Sequence, residues 1–443
     1  MFDKLFGRGK KSPEQALQAV QPDIPFGRYS DNNKTVEKVR RWTDADNLFK
    51  QQSYYDSIAA FFDYLADDKL GNVILNRNNE SGTFQVYQGS KIVRGEFDKD
   101  SLKAEITLAK MPQASVPVMR RLLEMNFNLY YSRYALDNDR LCMRFDSDIK
   151  AANPNKLYYG LKELAIKADK LDDLLVQEFA ALQTVDTDHI IGIPETEKEV
   201  KYNFMLTWIR ETLDYAATLD ADKFSGGIAY LLLSLAFRID FCICPDGKLL
   251  NELEKIVEIY YRKDEKGTID RNQGMIEGYK KLLNKTKEEV YPFLFRSKHT
   301  FAIVVPQHHQ TVVEAINAAA NNVVWYRDNN YPLIANSVME YALTFSQYSY
   351  SLPKPLSDLI LLFMQINYRS YFEALGFSVP YYDAQSGQFD QELINGRIQQ
   401  IISAWQPKYP KLNFKTESLQ FQTLLTFNSS LSTEITALNF DAN

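Results

Sequence analysis

Four His and three Cys are the side chains here best suited to metal binding or nucleophilic chemistry. His308 and His309 are adjacent, with Glu314 downstream. Ligands on one helix face need i,i+3 or i,i+4 spacing, because only those positions converge. Glu314 sits six and five residues away, and the pair follows Pro306. Both histidines are therefore expected to begin a helix and face solvent. Cys242 and Cys244 could supply two thiolates, but a four-ligand site needs a second pair. They are read as buried thiols at the end of an apolar helix. Cys142 falls in a strand pattern with no His before His189, so it lacks the nearby base that activates a nucleophilic thiol. The acidic pairs Asp67-Asp68, Asp172-Asp173 and Glu288-Glu289 diverge around a helix and read as solvated faces. No GxxxxGK[ST], GxGxxG, GxSxG or HExxH pattern occurs. Catalytic residues, cofactor and metal are each expected to be none.

Lys and Arg total 51 against 57 Asp and Glu, a net charge of −6, which argues against nucleic acid as the main ligand. Sparse cysteine fits a reducing compartment, so the expected location is cytoplasmic. The start, MFDKLFGRGKK, has no apolar run of signal-peptide length. The most apolar stretch, 228–243, carries Arg238 and Asp240, and the run 356–366 is short. Neither matches the roughly 20 apolar residues of a membrane span, so no transmembrane segment is expected.

These side chains must be held by elements that periodicity outlines. At roughly 100–200 residues per domain, 443 residues suggest two or three. Residues 1–47 read as an extended arm with a short docking helix around Val36, Val39 and Trp42. Over 48–185 the pattern is helix, then strands at 72–76, 83–93 and 102–108. Gly89-Ser90 is either a turn or a bulge within the second strand. A helix closed by Asn126 follows, with Val118, Leu122, Leu123 and Met125 as its apolar stripe. Strands at 129–136 and 141–145 flank the turn Asp137-Asn138-Asp139, and a long helix spans 156–182. The fold class is thus α+β: an antiparallel sheet with helices on one face (α-β-β-β-α-β-β-α), then a mostly helical domain at 195–443. Helices are expected at 197–219, 223–243, 249–262, 270–287, 311–326, 332–348, 355–375 and 390–405. An isolated strand is expected within 295–305, and an irregular tail from Leu412.

The order over 48–182 resembles the type III secretion chaperone-like fold, including YbjN-type regulators. The stretches VPVMRRLLEMNFNLYYSRYALDNDRLCMRFDSDI and LYYGLKELAIKADKLDDLL carry the resemblance. It implies a non-enzymatic protein that binds another protein or an extended peptide segment and forms a possible homodimer. Strand addition at an exposed edge is one physical route. Candidate contact residues are Tyr87, Tyr130, Tyr134 and Arg144 on the sheet. Aromatics concentrate at Phe345, Tyr348, Tyr350, Tyr368, Tyr371, Phe372, Phe377, Tyr381 and Tyr382. A helical core is the ordinary reading of that cluster. A protein interface using Tyr348 and Tyr350 is the other, because aromatics are enriched at interface centres. Two alternatives stand beside this: an enzyme or small-ligand receptor with a pocket in 195–443, and a membrane adaptor using the basic, aromatic N-terminus.

Overall fold

Alternating apolar residues build six antiparallel strands in the order β1-β2-β3-β4-β6-β5. They are β1 (Val73–Asn78), β2 (Ser81–Gln88), β3 (Lys91–Phe97), β4 (Ser101–Lys110), β5 (Arg133–Asp137) and β6 (Arg140–Asp148). The computed structural model describes residues 21–185 and 189–441. The MFDKLFGRGKK segment and the side chains of Asp172 and Asp173 lie outside what is described.

Four strands, not three, precede the middle helix. The 83–93 stretch splits because Gly89 turns with φ +54, and a Cβ there would run into the Asp169 carboxylate. Asp169 instead accepts from Ser90 N at 2.8 Å, pinning the hairpin to the long helix. The Asp137–Asp139 turn forms as expected, with Asn138 at φ 55. β5 is shorter than its apolar pattern implied, because the N–H groups of Tyr130, Tyr131 and Ser132 all donate to Glu163.

One sheet face is dry. Phe84, Val86, Val93, Leu102, Ile106, Met143 and Phe145 are buried there. They pack in one core with residues of α2 (Tyr54–Leu65), α3 (Val116–Asn126) and α4 (Pro154–Glu178). The opposite face carries Arg94, Glu96, Lys103, Glu105, Arg144 and Asp146 around an open concavity of ≈ 660 Å³. This is an α+β arrangement with helices on one face.

The second half is helical: α5 (Glu195–Ala217), α6 (Ser225–Ile243), α7 (Gly247–Tyr261), α8 (Thr268–Leu283), α9 (Lys287–Val290), α10 (His309–Asp328), α11 (Pro332–Ser349), α12 (Lys354–Asn367), α13 (Arg369–Ala374), α14 (Gln391–Trp405) and α15 (Leu424–Thr436). α6 is long and apolar enough to cross a membrane, but 89% of its window is buried inside the fold. A helix apolar on all sides is one surrounded by others, and α5, α7, α8 and α11 pack around this one.

Three expectations need correction. The tail is not irregular: Thr423 caps α15, and Phe427, Leu431 and Ile435 form a buried i,i+4,i+8 stripe that Ser and Thr neighbours disguise. The 355–375 helix breaks at Tyr368. Only Phe295–Arg296 of the 295–305 stretch is strand, paired with Ile191–Gly192. Beyond it the chain runs irregularly into the first half, where Phe301 is buried in the sheet-domain core against Tyr158. The division at 185/195 is therefore not clean. The docking helix expected around Val36, Val39 and Trp42 does form, as α1 (Val36–Lys50), which buries Ala45 and packs Trp42 on Phe61, Tyr64 and Tyr158.

Candidate functional site

Residues 24–34 form a strap between the two halves. Gly27 takes φ +70, and its N–H donates to Phe241 O at 2.8 Å. The Phe26 ring lies 5.0 Å from Phe372 and 5.6 Å from Phe377. Arg28 Nη2 donates to Asp240 at 2.8 Å and Glu254 at 3.0 Å, with its guanidinium 3.8 Å over the Tyr348 ring. Burial alone would lower the Arg28 pKa; Asp240 more than offsets it and holds the guanidinium charged. Asp31 then ties both halves, accepting from Tyr158 at 2.7 Å and Lys162 at 3.2 Å on α4 and from Ala302 N and Ser351 Oγ beyond. Lys34 ends the strap on Leu65 O at 2.8 Å, and burial brings its pKa down to about 8.

Behind the strap, Ser297 Oγ and His299 Nε2 are 3.0 Å apart. That spacing suits a nucleophile and its base, but the surrounding hydrogen bonds set the opposite polarity. Gln88 Oε1 accepts from the N–H groups of Thr300 and Phe301, so its amide nitrogen faces His299 Nδ1. Nδ1 is then the acceptor, and Nε2 carries the hydrogen toward Ser297. A general base must offer a lone pair to the hydroxyl, so this pair ties segments together instead of activating Ser297. Burial lowers the His299 pKa to about 4, in keeping with a neutral ring. Cys142 is likewise buried, its thiol pushed up to about 11 by desolvation. Cys242 is buried at the end of α6, and Cys244 follows it in the left-handed region.

The six candidate contact residues do not share a face. Tyr134 pairs with Met143 and is buried on the helix-covered side, while Arg144 lies on the open side held by Glu105 and Asp137. Tyr87 is half-buried, donating to Gln85 Oε1 with Lys298 over its ring. Tyr348 is the platform under Arg28, and Tyr350 packs on Phe345. Tyr371 and Phe372 are fully buried, so much of the aromatic cluster is core and seat for the strap. Tyr130 alone of the six is fully presented, at 92% exposure.

Further apolar side chains are exposed shortly before Tyr130 in the chain. Val116, Leu123 and Phe127 are exposed on and just beyond α3, with Phe127 at 92%. Leu123 was expected in the buried stripe, but that stripe is Val118 and Leu122. Tyr131, stacked on Tyr159, and Leu136 on β5 are exposed as well. Strand addition there is obstructed at its start: Asn126 Oδ1 already takes Tyr134 N at 2.9 Å. The apolar side chains, not the strand edge, are what this end presents. A readable signal existed in the apolar positions 116, 123 and 127, which lie on one helical face.

His308 is exposed as expected, but His309 is not, since its ring packs on Phe440 at 4.9 Å. Both line a second open concavity of ≈ 550 Å³ with Tyr409 and Asp441. No protein-family model matches the chain, and no curated protein matches it.

Proposed function

We propose that the chain is a non-enzymatic protein-binding protein, chaperone-like or a regulatory adaptor, whose docking surface is the exposed α3 face with Phe127 and Tyr130. The observation that carries this reading is the exposed apolar face of α3 and its end, Val116, Leu123 and Phe127, continued in the chain by exposed Tyr130 and by Tyr131 stacked on exposed Tyr159. Single exposed apolar residues are ordinary, whereas grouped ones are the mark of an interaction site. Aromatics are the side chains most often found at interface hot spots. Arg120 and Arg121 on the same helix favour a partner segment carrying carboxylates beside its apolar anchors. The resemblance of 48–182 to secretion chaperone-like and YbjN-type domains supports the same reading, as does the neutral, structural wiring of Ser297 and His299.

A photo-crosslinking amino acid at Phe127 tests it, with one at Trp325, an exposed aromatic of the helical half, as comparison. Expected is a crosslinked protein captured from position 127 and lost when Tyr130→Glu and Leu123→Glu are added. Equal capture from both positions, or none, would overturn the assignment. The small-ligand alternative has a geometric candidate in the His308/His309/Asp441 concavity.

A further inference from the structure

The tripeptide Phe-Gly-Arg occurs twice in this chain, at 26–28 and at 6–8. The first of these fills a socket in which each residue type has a separate physical requirement. The Phe26 ring sits among Phe241, Tyr371, Phe372 and Phe377, at centroid distances of 6.4, 6.5, 5.0 and 5.6 Å. The middle residue must be Gly: its φ is +70, and a Cβ would stand 2.9 Å from Gln347 and 3.0 Å from the Phe241 ring. The third must be a planar cation, because Asp240 is gripped by both Nε and Nη2 while the guanidinium carbon lies 3.8 Å over the Tyr348 ring. A lysine supplies charge without that fork.

We propose that this socket reads Phe-Gly-Arg segments, and that Phe6-Gly7-Arg8 of the same chain is its second tenant, exchanging with residues 26–28. The route is short. Residues 6–8 lie outside the described part of the chain, but the chain enters the socket at its rim. There Gln21 exchanges two hydrogen bonds with the backbone of Ser378, next to Phe377. Five residues separate Arg28 from Lys34, and twenty-five separate Arg8 from Lys34, so the shifted tenant spans the same gap with slack. The entropic cost of that longer loop grows only with the logarithm of its length. In-chain tethering gives the segment a high effective concentration at the socket. With Lys34 seated on Leu65 in both states, the resident tenant keeps the added advantage of Ser30 and Asp31, which lie between it and that anchor. Exchange therefore leaves the helical half occupied while freeing residues 29–33 of the strap.

Cys244 provides the test. Its Sγ is 3.7 Å from Pro25 O, and Leu5 precedes the second Phe-Gly-Arg as Pro25 precedes the first. In the full chain bearing Leu5→Cys, treated with diamide, mass spectrometry should find a disulfide between positions 5 and 244 within one chain. Adding Arg8→Ala should abolish it. Adding Arg28→Lys, which weakens the resident without stripping its charge, should raise the rate of disulfide formation at least about tenfold, a fraction of what a buried ion pair can be worth. If Arg28→Lys does not fold, Leu5→Cys with and without Arg8→Ala still decides the matter. A yield no higher than the Arg8→Ala control would overturn the proposal. So would a disulfide that joins two chains.

Discussion

Arg28 and Asp240, 212 residues apart in the chain, form a bidentate ion pair, with Nε 3.0 Å and Nη2 2.8 Å from the carboxylate. Asp240 lies in the most apolar helix of the protein, where burial pushes its pKa up against the pull of Arg28. The same helix places Arg238 against Glu340, with Nε 2.7 Å and Nη2 2.8 Å from its two oxygens. Both charges in α6 thus find a planar, two-point partner. One comes from a neighbouring helix and the other from a strap at the far end of the sequence.

Removing Arg28 leaves Asp240 buried and uncompensated. Arg28→Ala should destabilise the protein by about 3–5 kcal/mol. Asp240→Asn should cost less, since Arg28 keeps Glu254 as a counter-ion at 3.0 Å. Urea unfolding checks both: the midpoint should fall in that order with little change in slope.

Gly27 and Gly387 both take φ +70, but a Cβ at Gly387 meets nothing within 4 Å while one at Gly27 meets Gln347 and Phe241. Substitution by Ala at Gly387 should cost only the left-handed backbone penalty, about 1 kcal/mol. Gly27→Ala should cost clearly more, because the strap must also shift. Equal losses in thermal or urea unfolding would show that the strap has room to spare.

Tyr130 and Tyr134, four residues apart, should respond oppositely to truncation. Tyr130→Ala, at an exposed position, should change stability by no more than about 0.5 kcal/mol. Tyr134→Ala opens a cavity beneath β5 and should cost about 3 kcal/mol. Urea unfolding distinguishes them, and loss of partner capture should follow the first.

His299 makes stability pH-dependent. Its pKa falls from 6.5 to about 4 on folding because burial disfavours the imidazolium. The unfolded state therefore binds the extra proton first. Stability from this group is fully present above pH 6.5 and is lost as pH falls toward 4, by on the order of 3 kcal/mol. His299→Gln should flatten that part of the stability–pH curve, measured by urea midpoints at stepped pH. His309, also lowered by burial, leaves a residual slope of the same sign.

Much of the fold was readable locally. Period-2 alternation marked β4 and β6, the Asp-Asn-Asp turn marked the β5–β6 hairpin, and apolar stripes located α4 to α8 within a few residues, because each signal is written in neighbours along the chain. Gly89 was ambiguous between turn and bulge. The carboxylate of Asp169, 80 positions away, settled it as a turn. α15 was missed because its stripe is three residues wide and only the surrounding helices make it dry. The sequence alone also required that Arg238 and Asp240 find opposite charges, since an apolar helix cannot bury them bare. It could not say which charges. Glu340 and Arg28 became their partners through tertiary packing, as did the choice of Leu122 over Leu123 for burial. Those outcomes depend on which faces meet, and that geometry exists only once distant segments are held against one another.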